Sequence, residues 1–139
     1  MALPSIGGGR QVGDGNLNEP ILGTMAAPAT MTDTGTISAA SIANGLIVGT
    51  PTAAATYTTT TGALLDATFV NAKVGSYVDF YIVNVATTAA FDITVAAGTG
   101  VTLVGGLEVS SNAAVTDRSA GKFRAYRTAA AAWTIYRIS

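Results

Sequence analysis

At 139 residues with a formal net charge of −1, the chain has the length of one domain, and only 11% of its residues are charged, against about a quarter in ordinary soluble domains. It contains no cysteine and no histidine, which excludes disulfides, thiolate nucleophiles, Cys- or imidazole-held metals and the Ser-His-Asp triad. A 49% hydrophobic share beside so few charges suits a chain that covers part of its surface with copies or partners.

Residues 1–35 read as an extended arm. Gly7-Gly8-Gly9, Gly13-Asp14-Gly15-Asn16, Pro20 and Pro28 interrupt any regular period, since glycine frees the backbone and proline removes a donor. The opening MALPSIGGGR runs into glycine without the basic and apolar regions of a secretory signal. No apolar run approaches the roughly 18 residues of a membrane-spanning helix. Yet Ile6, Val12, Leu17, Ile21, Leu22 and Met25 recur along the arm, so it has apolar surface to lay on a partner.

From residue 36 onward the pattern becomes β-like. Leu46-Ile47-Val48 is a short apolar run between glycines, and Thr56–Thr61 around Tyr57 reads as an exposed strand. One short helix is expected over Ala63–Phe69, where Leu65 and Phe69 share a face. Beyond Gly75, Val78, Phe80 and Ile82 alternate with Tyr77, Asp79 and Tyr81, and Phe91, Ile93 and Val95 alternate with Asp92 and Thr94. Gly105-Gly106 between two short apolar runs reads as a hairpin turn. Phe123 and Ala125 alternate with Lys122, Arg124 and Tyr126. The last strand places Trp133 and Ile135 on one face, so these residues should meet Val78, Phe80 and Ile82 in the core. Strands at this spacing with glycine turns predict an all-β fold: a jelly-roll-like antiparallel β-sandwich over residues 36–139, with one short helix and an extended N-terminal arm.

The residues able to carry chemistry read more simply as structure. Asp14-Gly15-Asn16-Leu17-Asn18 begins like a calcium loop, but Glu19 stands where that loop needs glycine, so a polar turn is expected and no metal. Gly7-Gly8-Gly9-Arg10 lacks the lysine and flanking elements of a phosphate loop. Asp66, Asp79, Asp92 and Glu108 could in principle pair for glycoside hydrolysis, but outward carboxylates on strands are usually only solvated. Arg118, Lys122, Arg124, Arg127 and Arg137 make the C-terminal end basic, while the acids lie earlier in the chain. That polarity favours contact between copies or with a partner protein. A pI near 5.0 argues against nucleic acid as the partner. The residues expected to meet a partner are Arg10, Leu17, Ile21 and Leu22 in the arm, with Lys122, Arg124 and Tyr126 near the C-terminus. No catalytic residue and no cofactor is expected, so the chain reads as a non-enzyme that binds neither nucleic acid nor membrane.

One further signal lies in Gly62-Ala63-Leu64-Leu65, Asn71-Ala72-Lys73-Val74-Gly75, Phe80-Tyr81-Ile82-Val83-Asn84, the run from Ala97 to Gly105, Phe123-Arg124, and Ala132 to Ile138. Together these resemble a module of tailed-bacteriophage head decoration (cement) proteins, of the cyanophage type, over residues 57–139. The motifs are turn and core residues, and related modules also occur in tail-associated proteins. The resemblance implies a structural virion protein on the outer surface of a capsid. It would form a homotrimer and bridge subunits of the major capsid protein. The alternative is a tail or fibre module that binds host-surface carbohydrate by stacking on Tyr57, Tyr77 or Tyr81.

Overall fold

The structure is a computed structural model, and it describes residues 22–113 and 118–139. In chain order its elements are β1 (Ala29–Met31), β2 (Gly35–Ile37), α1 (Ala39–Asn44), β3 (Leu46–Gly49), β4 (Ala55–Thr59), α2 (Gly62–Thr68), β5 (Tyr77–Asn84), β6 (Ile93–Ala96), β7 (Val101–Val104), β8 (Glu108–Val109), β9 (Ala120–Ala129) and β10 (Ala132–Arg137). A six-stranded sheet has the order β1-β3-β5-β9-β10-β7, and a four-stranded sheet has the order β2-β4-β6-β8. β1 thus falls at the C-terminal end of the stretch read from sequence as an arm, and β2 starts at its last residue.

From β1 to β8 each strand lies in the opposite sheet from the one before it. The chain winds around the core rather than doubling back, so as far as β6 neighbours within a sheet run parallel. The pairs β1–β3, β3–β5, β2–β4 and β4–β6 are all parallel. The exceptions come after β6, and the first is β8, which pairs antiparallel with β6 in the smaller sheet. The β9–β10 hairpin enters the larger sheet antiparallel to β5, and β10 pairs with β7 in parallel.

The expected antiparallel jelly-roll sandwich is therefore wrong: the fold is mixed α/β, mostly β, with two mixed sheets. The physical reason is that alternation with a period of two reports one buried face, whatever the direction of the neighbouring strand. The supposed hairpin at Gly105-Gly106 fails for the same reason, because β7 and β8 belong to different sheets. A second helix, α1, was also not expected. Its start is capped by the Ser38 hydroxyl, which accepts from the Ser41 N–H at 3.1 Å, and it stops at Gly45 with φ of 89°.

One core joins both sheets and both helices. It contains Ile37, Ile42, Ile47, Leu65, Phe80, Ile82, Ile93, Val109, Phe123, Ala125, Trp133 and Ile135. Phe80 and Phe123 stack across β5 and β9 with centroids 5.4 Å apart. Tyr57, expected on an exposed strand, is fully buried, and its hydroxyl donates to the Met31 carbonyl at 2.7 Å. Burial pushes its phenol up to about 12, with the Asp33 charge adding to the effect.

The hairpin is fastened by Asp66 on α2. Arg127 Nε and Nη2 donate to its two carboxylate oxygens at 2.8 and 2.7 Å. The Ala131 backbone N–H and the Trp133 indole N–H complete the site, each at 2.8 Å. Gly62 allows this approach, because a Cβ there would overlap the Ala131 carbonyl. The Arg127 guanidinium, aided by these other donors, holds the Asp66 carboxyl far below the usual carboxylate range. Helix α2 is thereby tied to both strands of the terminal hairpin.

Candidate protein-contact face

With Phe80, Phe123, Trp133 and Ile135 turned inward, the alternate residues of β5, β9 and β10 must point outward. Cross-strand register then sets them in rows. Tyr77 lies opposite Tyr126, which lies opposite Thr134. The next row is Asp79, Arg124, Tyr136 and Val104. Tyr81 stands opposite Lys122, whose carbonyl accepts from the Ile138 N–H at 2.8 Å. Tyr77, Tyr81, Val104, Tyr136 and Ile138 all remain well exposed. They form a broad aromatic and aliphatic surface on the outside of the larger sheet.

Charge sits at the centre of that surface. Arg124 Nε and Nη2 donate to Asp79 Oδ1 and Oδ2 at 2.7 and 2.8 Å. The Lys122 ammonium lies 3.5 Å from Asp79 Oδ2. The guanidinium of Arg124 also lies over the Tyr77 ring, 4.1 Å from its centroid. The Arg124 hydrogen bonds hold the Asp79 carboxyl below its usual range, and Asp79 in turn raises Arg124. With two cations around one anion, the centre of the face carries one net positive charge. Beside Tyr77 the surface falls into an open apolar recess of about 360 Å³, bounded by Phe69, Val70, Val78 and Trp133.

Such a face has the chemistry of a binding surface. Its side chains are held in fixed positions by ion pairs and stacking, and tyrosine and arginine are the residue types that most often dominate protein interfaces. Of the residues expected to meet a partner, Lys122, Arg124 and Tyr126 are brought together here. Leu22 is 84% exposed and precedes β1, at the opposite edge of the sheet. Arg10, Leu17 and Ile21 lie outside the described residues, as do the calcium-like Asp14-Gly15-Asn16 turn and the Gly7-Gly8-Gly9 run.

Asp66, Asp79 and Asp92, three of the candidate acids, do not converge. Asp66 and Asp79 are each committed to an arginine. Asp92 Oδ1 accepts from the Ser111 N–H at 2.8 Å, and its neighbour β6 lies in the sheet opposite Asp79. Among the described residues, no group of acidic side chains is placed to hold a metal, and no helix is long and apolar enough to cross a membrane. Tyr136, Val104 and Ile138 were not among the residues expected to meet a partner. The inward assignment of Trp133 and Ile135 was the signal for Tyr136, since the residue between or beyond two inward positions must face out. Comparison of the chain with protein-family models, with curated proteins and with solved structures gives no match.

Proposed function

We propose that the chain is a structural virion protein that decorates a phage capsid on its outer surface and stabilises it by bridging subunits of the major capsid protein. The observation that carries this reading is the outer face of the larger sheet, where Arg124, Asp79 and Lys122 are set among Tyr77, Tyr81, Tyr126 and Tyr136. It supplies rigid aromatic anchors around a charged centre, which is what a protein contact needs. The resemblance over residues 57–139 supplies the setting, and the homotrimer belongs to the same proposal. Many such contacts repeated over a shell would add avidity to a modest single contact.

The glycan-binding alternative is weaker on two counts. Tyr57 is buried, so it offers no ring to a sugar. The Tyr77 ring already carries the Arg124 guanidinium on one face. The test is a cryo-EM map of virions of the phage that encodes the chain. Density for this fold at junctions between capsomers, with the Tyr77–Tyr136 face turned to the coat, is the expected result. Density confined to the tail overturns the proposal.

A further inference from the structure

The larger sheet ends at β7 on one side and at β1 on the other, about 24 Å apart at ordinary strand spacing. These two edges differ. β7 reads Val101-Thr102-Leu103-Val104, with no charge and no proline, so two of the usual devices that discourage strand addition are missing. Trp133 N–H donates to the Gly100 carbonyl at 2.9 Å, on the β10 side. In a parallel ladder the peptide groups of alternate residues face the same way, so those of Thr102 also face β10 and those of Leu103 face outward. No described strand pairs with that outer side. Leu103 is only partly buried, and Val104 is well exposed.

At the far edge, residues 22–28 run into β1 without joining either sheet, and every one of them is exposed. They carry no charge, yet include Leu22 and Met25, 84% and 55% exposed. We infer that residues 22–27 of a second copy of this chain add as a strand along the open edge of β7. In that position Met25 would cover Val101 and Leu103 on the core side, while Leu22 would join Val104 on the outer face. The strand that is offered and the edge that accepts it lie at opposite ends of one sheet, so the contact is head-to-tail and closes into a ring or continues as a chain of copies. This inference does not depend on the capsid proposal.

Two variants of the full chain test it. Leu22→Asp with Met25→Asp spoils the donor and leaves the acceptor intact. Leu103→Pro removes the outward N–H and leaves the β10 ladder untouched. Thr102→Lys serves as acceptor variant if Leu103→Pro fails to fold. Light scattering should find the unaltered chain associated and each variant monomeric alone. Mixed, the two variants should form one-to-one pairs of twice the 13.9 kDa chain mass, because one copy keeps a working donor and the other a working edge. A monomeric unaltered chain, variants that remain associated, or a mixture that stays monomeric overturns the inference. Because the readout needs no capsid, its failure is distinct from failure of the decoration proposal.

Discussion

Two aspartate–arginine pairs of nearly the same geometry serve this chain in different ways. Asp66–Arg127 and Asp79–Arg124 are both bidentate, with contacts of 2.7–2.8 Å. Asp66 also receives the Ala131 N–H and the Trp133 indole, and Arg127 donates to the Ala72 carbonyl at 3.1 Å. Only 17% of the Arg127 side chain is exposed, against 37% for Arg124. The first pair ties α2 to the terminal hairpin, so it belongs to the fold. The second lies flat among tyrosines, with its groups still open to a partner. The lesson is that the surroundings, and not the pair itself, decide what an ion pair does.

The contrast can be broken most forcefully at Trp133. Trp133→Ala removes the indole that packs against Phe69 at 5.8 Å and donates to Asp66. It should cost about 3–5 kcal/mol, read by denaturant unfolding. Next comes Asp66→Ala, which strands Arg127 and two N–H donors. Its melting temperature should fall clearly below that of Asp79→Ala, since Arg124 is the more exposed of the two arginines and turns to water more easily than Arg127. Equal falls in the two variants would erase the distinction.

Acid sharpens the comparison further. Both carboxyls are lowered in the folded chain, so each adds stability that is present above the unfolded carboxylate value, about 3.9, and is lost as pH falls through the folded value. Melting should hold steady from neutral pH to about 4 and decline below it. In Asp66→Asn much of that decline should vanish, because the neutral-pH advantage is already gone. A smaller effect is expected from Tyr57→Phe. It leaves the Met31 carbonyl without its 2.7 Å donor and should cost roughly 1 kcal/mol, measured by the same unfolding titration.

How much of this could be read from sequence depended on how local the cause was. The inward faces of β5, β9 and β10 were legible, because alternation is a property of neighbouring residues. So was α2, through Leu65. The direction of strand pairing was not, since it depends on where the chain travels between strands. The α1 helix was within reach: Ser38 before it and Gly45 after it are the residues that start and stop helices. Tyr57 misled because its threonine neighbours look solvated. Thr59 is in fact buried, with its hydroxyl accepting from the Gly98 N–H at 2.8 Å. The contact face was half legible: Lys122, Arg124 and Tyr126 follow from alternation, whereas their union with Asp79 and Tyr136 needed the register. Asp66 was opaque, because its partner Arg127 stands 61 residues away.

The most direct test of the proposed decoration role pairs the melting of Arg124→Ala with its occupancy on capsids. Loss of a central arginine at an interface commonly costs 2 kcal/mol or more, so affinity for the capsid should drop by about thirtyfold or more, read as lost occupancy at limiting protein. The melting temperature should stay within a degree or two of the unaltered chain, as for other surface substitutions of less than about 0.5 kcal/mol. An Arg124→Ala chain that unfolds, or one that coats capsids as fully as the unaltered protein, would contradict the division between a pair that holds the fold and a pair proposed to meet a partner.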